Sequence, residues 1–495
     1  MNLDLALHPT LRERQSRTSL IPHPSSLIPH PSSLIPHPSS FILFSPSFLM
    51  ATTPLVTLQK PKDISIGEIE AELSQIWHSQ SGDRGSPMVT RASTFSIVVY
   101  APEEFQQLLA ALGFYSEEID GFHGPDTKAA VLAAQKAYDL RMTGQVDPAT
   151  LARLRAEVAK LPAEKLKFIN LDERGTTISD AIAIQNPCRV ITLAPTLGDD
   201  EAITAQVSAY CPIQKAGNAS SICGEYITLK GTKASLDRVG DLVSALMIPG
   251  LPQFVWWKAT PNPEHELFRK LAASCNCLIL DSSYFSDPEA EFVKMQALVE
   301  SDTYVADLNW HRLSVWQELA ASSFDAPERR MALGEVDLIT IDYEKGNPAQ
   351  AYMFLGWFAS RLGWEPVSFT ETHDDYDITT ITFTNAAGRK IEAELAGVPI
   401  ADAGEIIGDL LGLRLASTNP NANCFMILCS ETTGCMRMES GGSAQTSRTE
   451  QVTTVNDQKA EFLLTQQLQR WGRDVLYEES LATTAKILHI RGQEP

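Results

Sequence analysis

The spacing of apolar residues predicts alternating strands and helices through the middle of the chain. Short apolar runs at 190–193, 224–229, 254–257 and 277–281 have the length and composition of buried strands. Between them, apolar residues recur three and four positions apart, most clearly at 236–246, which predicts amphipathic helices. Repeated strand, helix, strand units predict an α/β fold with a mostly parallel open sheet and flanking helices.

Five further segments extend this prediction. Residues 65–78 have helical spacing after a capping-box sequence, and residues 94–100 alternate like a strand. Residues 264–274 and 310–321 also have helical spacing, and the second is expected to pack across the sheet. Residues 200–210 fit a helix or a strand equally well.

The last third of the chain predicts a second unit of the α+β class. An apolar run at 336–342 predicts a strand. Alternating segments at 376–384 and 390–395 flank the turn sequence Asn385-Ala-Ala-Gly388, which is a hairpin signal. A long helix at 457–473 is expected to cover this second sheet.

Residues 1–49 differ from the rest of the chain. The heptapeptide Ser-Leu-Ile-Pro-His-Pro-Ser occurs three times without a change, at 19–25, 26–32 and 33–39. Two prolines in each heptapeptide prevent helix and interrupt strand pairing. We expect a disordered extension with translation starting at Met50. A signal peptide is the alternative, although the prolines fit it poorly.

The charge and cysteine content bear on partners and compartment. With 61 Asp and Glu against 40 Lys and Arg, the chain lacks the cationic face that nucleic acids and anionic membranes need, so we expect neither as a partner. No apolar run reaches the roughly 18 residues of a membrane-spanning helix. Eight cysteines without paired Cys-x-x-Cys spacing predict no zinc site and favour a reducing, cytoplasmic setting.

Sequence motifs of catalysis are missing. No Gly-x-Gly-x-x-Gly follows a predicted strand, and His265-Glu266 lacks the second histidine of a zinc-protease pair. Asp281 and Asp342 end predicted strands, where open sheets hold ligands, but aspartates there are more often turn formers or helix caps. We therefore predict no catalytic, cofactor-binding or metal-binding residues. An unrecognised enzyme that uses the two aspartates is an alternative.

Two stretches, 248–258 and 307–319, contain four of the eight tryptophans. Such a cluster is either a large core or a binding face for another protein. On a helix, Arg312 and Trp316 share one face, and a guanidinium beside an indole is a typical interface anchor. The alternatives are core packing and, for Arg312, a buried ion pair. The partner-binding candidates are Trp256, Trp257, Trp310, Arg312 and Trp316.

A cysteine pair flanks a predicted hairpin in the last third. Residues 425–429 and 435–438 have strand character and are joined by a loop of Ser, Glu, Thr and Gly. Such a hairpin sets Cys429 and Cys435 opposite one another, within reach of a disulfide. An exposed cross-strand disulfide is easily reduced, which predicts a redox switch and suits thioredoxin as a partner. Two ordinary buried thiols are the alternative.

Residues 102–158 resemble the peptidoglycan-binding type 1 module, a small three-helix bundle. The most specific part is the loop Asp120-Gly121-x-x-Gly124-x-x-Thr127, whose glycines allow a tight turn before a capped helix. Ala134 stands where that family has phenylalanine, which argues against a glycan groove. We expect an inserted helical module that contacts protein. An exported peptidoglycan-binding protein is the alternative function.

Three further segments resemble the OpcA family, the glucose-6-phosphate dehydrogenase assembly protein. They are Ile-Pro-Gly-Leu-Pro with the strand ending Trp-Trp (248–257), Asp-Leu-Asn-Trp-His-Arg-Leu (307–313) and Asn-Pro-Cys-Arg-Val-Ile-Thr-Leu (186–193). The resemblance covers most of the chain after Met50. It implies a protein without enzymatic activity that assembles and activates glucose-6-phosphate dehydrogenase in the oxidative pentose phosphate pathway.

The resemblance and the composition together predict four domains after the N-terminal extension. Residues 50–101 supply an N-terminal helix and strand of the assembly-protein domain, and residues 102–158 form the inserted module. Residues 176–330 form the central α/β domain, and residues 334–495 form the C-terminal α+β domain.

Overall fold

A computed structural model gives the fold of the chain. It describes residues 55–80, 89–91, 93–101, 104–116, 125–161, 187–196, 202–212, 221–259, 261–285, 287–325, 327–373, 377–400, 406, 408–419, 424–430, 435–441, 451–454 and 460–491. The predictions for residues 1–49, for a start at Met50 and for the glycine loop at 120–124 lie outside these residues.

Nine strands form the first sheet. They are β1 (Leu55–Ile64), β2 (Val89–Arg91), β3 (Ser96–Tyr100), β4 (Arg189–Thr196), β5 (Thr204–Pro212), β6 (Ser221–Thr232), β7 (Gln253–Trp257), β8 (Cys277–Leu280) and β9 (Val305–Asp307). Their order is β1-β5-β6-β4-β3-β7-β8-β9, and β2 pairs with β6 beside this path. The strands from β6 to β9 in that order are parallel, whereas β1 and β5 add an antiparallel edge.

The predicted mostly parallel sheet is therefore confirmed. The segment that fitted helix or strand equally well is strand β5, and β1 was not predicted. In chain order, the six parallel strands have the arrangement third, second, first, fourth, fifth, sixth across the sheet. This is the strand order of a doubly wound sheet. The order in which successive strands are added reverses between β3 and β7, which remain parallel to each other.

Fourteen helices lie in the described residues. They are α1 (Ile69–Gln80), α2 (Glu104–Ala111), α3 (Pro125–Ala137), α4 (Pro148–Val158), α5 (Lys233–Asp237), α6 (Gly240–Leu246), α7 (Glu266–Ser274), α8 (Pro288–Glu300), α9 (Leu308–Arg312), α10 (Ser314–Ser322), α11 (Pro327–Leu333), α12 (Ala349–Leu362), α13 (Ala460–Gln467) and α14 (Val475–Arg491). Two segments predicted as single helices are each divided, into α5 and α6 and into α9 and α10.

Both faces of the parallel strands are buried. Alternate residues point to opposite faces, so Val98 and Ile191 belong to one apolar cluster and Val99 and Val190 to another. Helix α7 packs in the first cluster and α13 in the second. Apolar residues on both faces are what a parallel sheet between two helical layers requires.

Eight strands form the second sheet. They are β10 (Leu338–Glu344), β11 (Glu365–His373), β12 (Asp377–Thr384), β13 (Lys390–Val398), β14 (Leu410–Ala416), β15 (Cys424–Ser430), β16 (Cys435–Gly441) and β17 (Gln451–Thr454). The order is β11-β12-β13-β10-β14-β15-β16-β17, and β10 with β13 is a parallel pair in an otherwise antiparallel sheet. The predicted second unit with hairpins is confirmed.

Helices α12 and α14 pack closely beside the second sheet. A Cβ atom at Gly356 of α12 would lie 2.3 Å from Thr484 Oγ1 of α14, so only glycine permits this approach. The helix predicted at 457–473 is wrong in its end and its position. Helix α13 stops at Gln467 and packs on the first sheet. A separate helix, α14, follows, and Asp474 caps it by accepting a hydrogen bond from Tyr477 N at 3.1 Å.

The inserted module has its own small core. Leu108, Val131 and Leu154 come together from helices α2, α3 and α4. Buried Gln135 donates to Thr150 Oγ1 at 3.0 Å and accepts from Thr143 N at 2.9 Å, which fastens the segment between α3 and α4. The α/β fold with an inserted three-helix module is thus as predicted.

Candidate functional site at the carboxyl edge of the first sheet

The carboxyl ends of β3 and β7 mark the place where doubly wound sheets bind ligands. Here the last residue of each strand is aromatic, Tyr100 in β3 and Trp257 in β7. The rings of Tyr100 and Trp257 stack with centroids 3.8 Å apart and an angle of 6° between their planes. Both are buried, and Tyr100 O accepts a hydrogen bond from Lys258 N at 3.0 Å. Aromatic packing therefore fills the space beside these strand ends.

The segment after β3 also departs from a dinucleotide-binding turn. Such a turn needs glycines, because the backbone must approach the pyrophosphate closely. In this chain β3 is followed by Ala101-Pro102-Glu103 and then by α2 of the inserted module. Gln107 of α2 donates to Pro195 O of β4 at 2.7 Å, so the module contacts the sheet at this edge.

A buried ion pair lies farther along the same edge. Arg312 binds Asp281 with two hydrogen bonds, Nη1 to Oδ1 at 2.8 Å and Nη2 to Oδ2 at 3.0 Å. Both side chains are almost fully buried. Burial opposes the charge on Arg312, but the carboxylate outweighs it and raises the pKa of the guanidinium. Asp281 also accepts from Ser283 N at 3.2 Å, as the predicted cap.

A second buried carboxylate lies beside this pair. Asp307 Oδ1 accepts from Ser282 N and from Asn309 N, each at 2.9 Å, whereas its buried Oδ2 has no hydrogen-bond partner among the described residues. Burial and the negative charge of Asp281 raise the pKa of Asp307 to about 6.

The same polar cluster connects the two sheets. Asn347, just before α12, donates to Ser282 O at 3.1 Å and to Ser283 O at 2.8 Å. Gln350 of α12 donates to Asn309 Oδ1 at 3.0 Å. Satisfied buried polar groups fix the relative position of the elements that carry them. These hydrogen bonds can therefore hold the first sheet and the second sheet in a fixed relative position.

Helix α9 supports the turn between α13 and α14. Trp310 Nε1 donates to Asp474 Oδ2 at 3.1 Å. His311 Nδ1 faces Arg470 Nη1 at 3.3 Å, so it accepts, and His311 Nε2 donates to Gln467 Oε1 at 2.7 Å. Burial, followed by the charge of Arg470, lowers the pKa of His311 to about 4, which keeps the ring neutral at pH 7.

The five predicted partner-binding residues do not form a surface. Arg312 makes the ion pair that was its alternative, and the four tryptophans are core residues with exposed fractions of 2 to 5%. They pack inside because α9, α10 and the strand end of β7 lie beneath other helices. In this structure the following five side chains are all buried: Trp256, Trp257, Trp310, Arg312 and Trp316.

The two strand-end aspartates are not brought to one edge. Asp281 follows β8 of the first sheet, whereas Asp342 lies inside β10 of the second sheet, which continues to Glu344. Burial, and then Glu394, raise the pKa of Asp342. The prediction that Asp342 ends its strand is wrong.

The cysteine hairpin is present, but its register differs from the prediction. Strands β15 and β16 pair so that Cys429 lies opposite Met436 and Cys435 lies opposite Ser430. The expectation that the two cysteines are directly opposed is therefore wrong by one residue. Their side chains lie outside the described part of the structure, so the disulfide stays a prediction.

Other cysteines fall into two groups. Cys188, Cys275 and Cys277 are free thiols, and burial raises the pKa of each of them, to about 12 for Cys275. Such thiols are poor nucleophiles. Cys223 on β6 is disulfide-bonded.

One residue with the character of a binding anchor was missed. Trp471, in the turn between α13 and α14, is 66% exposed, and it is the one tryptophan of the eight that is exposed; all eight lie in described residues. The available signal was Arg470-Trp-Gly-Arg473 followed by the capping Asp474, which marks a turn rather than a continuous helix.

No group of three or more His, Cys, Asp or Glu side chains in the described part of the chain could hold a metal ion. Likewise, no helix built from the described residues combines the length and apolar character needed to cross a membrane.

Comparisons with known proteins match most of the chain. The family model described as the N-terminal domain of a glucose-6-phosphate dehydrogenase subunit matches residues 179–297, and the one described as its C-terminal domain matches residues 303–481. A peptidoglycan binding domain model matches residues 101–154. Two solved structures, a 3-ketoreductase from Actinomadura kijaniata and an aldose-aldose oxidoreductase from Caulobacter crescentus, are 12% and 14% identical.

Those two matches cover 53% and 54% of this chain and 81% and 83% of the solved chains, with TM-scores of 0.35 and 0.32. Two relatives are much closer in sequence, both named OpcA and linked by that name to the OxPP cycle. The protein of Synechococcus elongatus is 56% identical over 439 residues, covering 89% of this chain and 98% of the relative. That of Nostoc punctiforme is 54% identical over 449 residues, covering 89% and 97%. The chain belongs to the OpcA family.

Proposed function

We propose that the chain is a cytoplasmic assembly factor and activator of glucose-6-phosphate dehydrogenase. The observation that carries this proposal is the match of residues 179–297 and 303–481 to models described as subunit domains of that dehydrogenase. The relatives, whose names link them to the OxPP cycle, support the same pathway. Glucose-6-phosphate dehydrogenase is the partner, and neither nucleic acid nor membrane is part of the function.

The geometry supports a role without catalysis. The crevice beside β3 and β7 is filled by Tyr100 and Trp257, and the turn after β3 has no glycine. The buried carboxylates at this edge, Asp281 and Asp307, are engaged in an ion pair and in backbone capping. These side chains hold the two sheets together instead of facing a substrate.

Activation without catalysis requires unequal affinity for two states of the enzyme. A protein that binds the active and inactive forms equally shifts neither. The chain must therefore bind the active assembly more tightly, and the substrate-bound enzyme must in turn bind this chain more tightly. Affinity and activation are two measures of one coupling free energy.

The proposal also includes redox control through Cys429 and Cys435. Thiol–disulfide exchange with an oxidised dithiol protein joins the two sulfurs, and the two protons and two electrons pass to that protein's own disulfide. A reduced dithiol protein such as thioredoxin reverses the step. Because the register sets Cys429 opposite Met436, closing the bond requires the end of the β15–β16 ladder to shift. Disulfide formation would thereby change the shape of this hairpin.

The redox proposal has a direct test. Peptide mapping of oxidised full-length protein should recover a Cys429–Cys435 crosslink, and changing both residues to serine should abolish the redox dependence of activation. A double variant that still responds moves the switch to another cysteine, such as Cys211, the disulfide-bonded Cys223 or the buried Cys188. Tyr210 lies opposite Gly224 in the ladder of β5 and β6, so Cys211 and Cys223 are the next positions along it.

The main proposal is tested by titrating purified full-length protein into the dehydrogenase of the same organism. We expect a lower half-saturating concentration of glucose 6-phosphate or a higher maximal rate, with no dehydrogenase activity from the chain alone. The titration should be run with oxidised and with reduced protein. Unchanged kinetics over a wide ratio in both redox states would contradict the assembly function.

A peptidoglycan-binding function is the second candidate, because the family model for that domain matches residues 101–154. The module lies inside the connection from β3 to β4 and donates a hydrogen bond to Pro195 O. Ala134 is fully buried in its core and offers no side chain to a glycan. Sedimentation of the protein with purified peptidoglycan tests this alternative, and we expect the protein to stay in the supernatant.

A further inference from the structure

The turn that joins α13 to α14 presents a tryptophan to solvent. We call residues 469–475 the Trp471 turn. Residues 469–473 are all exposed, and Val475 is 59% exposed beside them. An exposed indole forfeits the burial of a large apolar surface, and tryptophan is the residue most typical of binding hot spots. A single exposed tryptophan on an ordered turn therefore points to contact with another protein.

The Trp471 turn is fastened to the molecule at its far end. Arg473 pairs with Asp302 and with Glu478, whose Oε1 lies 2.7 Å from Arg473 Nε. Arg473 Nη2 also donates to Thr303 O at 3.3 Å. Asp474 accepts from Trp310 Nε1 at 3.1 Å. These contacts connect the turn to the segment between α8 and β9 and to helix α9.

The near end of the turn is fastened as well. Arg470 N donates to Gln467 O at 2.9 Å, and the Arg470 side chain faces His311 Nδ1 at 3.3 Å. The turn is thus held on a buried scaffold while Trp471 points outward. A side chain that is held in place before binding loses less entropy on association, so such a residue makes an efficient anchor.

We infer that the Trp471 turn is the surface through which this chain binds the dehydrogenase. The inference rests on the proposed function and adds the contact surface to it. The partner surface that fits is an apolar pocket for an indole with carboxylates at its rim, because Arg470 lies exposed beside Trp471. Arg473 is already paired with Asp302 and Glu478, so Arg470 is the arginine that offers its charge to such a rim.

Affinity measurements on full-length variants test this inference. The proteins are wild type, Trp471→Ala, Trp471→Phe and the matched control Met331→Ala, which removes an apolar side chain on α11 that is 78% exposed. We expect Trp471→Ala to weaken binding to the dehydrogenase about 30-fold, which corresponds to about 2 kcal/mol. Trp471→Phe should lose less, and Met331→Ala should bind within about twofold of wild type.

The outcomes separate this inference from the proposed function. If wild type binds and Trp471→Ala binds equally well, the contact surface lies elsewhere and the inference is overturned while the function stands. If wild type does not bind the dehydrogenase, the proposed function fails and the inference fails with it.

A second readout guards against a change in folding. A photo-crosslinking amino acid at position 471 should capture the dehydrogenase, and the same group at position 331 should not. Sedimentation of the chain alone tests whether the turn joins two copies of this chain. A homodimer that is lost in Trp471→Ala, with unchanged affinity for the dehydrogenase, would overturn the inference.

Discussion

Helix α9 and the Trp471 turn contain the same residue types and lie in contact, yet their exposure is opposite. In α9 the indole of Trp310 is buried and the charge of Arg312 is paired with Asp281. In the turn Trp471 and Arg470 are exposed. The first region holds elements together and the second offers a contact. Tryptophan and arginine in a sequence therefore mark binding only where the fold leaves them on the surface.

The largest effect that sharpens this comparison is loss of stability on changing Arg312. Arg312→Ala leaves the carboxylate of Asp281 buried without its partner, which should lower the free energy of unfolding by about 3 to 5 kcal/mol. Urea denaturation of the full-length protein measures this. The double variant Arg312→Leu with Asp281→Leu should lose much less, because it removes both charges. Equal losses in the two variants would show that packing, not charge, dominates the site.

A smaller effect concerns pH. The pKa of Asp307 is raised from 3.8 to about 6 in the folded chain, so the folded state binds the proton more tightly. Stability from this group is present at low pH and is lost as the pH rises from about 4 to 6, by up to about 3 kcal/mol. Asp307→Asn should remove this loss and make the protein more stable than wild type at pH 7.

His311 supplies the matched control for that prediction, with the opposite sign. Its pKa falls from 6.5 to about 4 on folding, so its contribution is present above pH 6.5 and is lost as the pH falls towards 4. His311→Gln should remove the loss of stability that His311 causes as the pH falls, and should leave unchanged the loss that Asp307 causes as the pH rises. Denaturation midpoints between pH 4 and 8 measure both, and an Asp307→Asn profile parallel to wild type would contradict the burial argument.

The smallest expected effect is on the stability of the Trp471 turn. Because Trp471 is mostly exposed, Trp471→Ala should change the free energy of unfolding by no more than about 0.5 kcal/mol, while its effect on partner binding is large. Trp310→Ala should do the reverse and lower stability by about 3 to 5 kcal/mol through a cavity. Similar melting temperatures for Trp471→Ala and Trp310→Ala would contradict the statement that Trp310 stabilises the fold and Trp471 does not.

Much of the fold could be predicted from the sequence because it rests on local patterns. The strands at 254–257 and 277–280 and the hairpin of β12 and β13 were identified by apolar runs, alternation and a turn sequence. Helix α13 was placed on the wrong sheet, because its apolar face does not state which of two sheets it covers. That choice depends on contacts between residues about 200 positions apart, such as Gln467 with Cys277.

The candidate site was harder to predict than the fold. Burial of Trp310 and Arg312 follows from helices far away in the sequence, and spacing alone leaves an interface and a core equally open. The register of β15 and β16 shows the same limit, because a change of one residue separates directly opposed cysteines from offset ones. Trp471 was missed because its turn was assigned to a continuous helix.

Hydrogen exchange of the full-length chain, with and without the dehydrogenase, tests the central claim most directly. We predict that bound dehydrogenase slows exchange of backbone amides in residues 469–475, and leaves helix α9 (308–312), whose residues are already buried or half-buried, nearly unchanged. Protection confined to other surfaces, with residues 469–475 exchanging at the same rate in both samples, would contradict it.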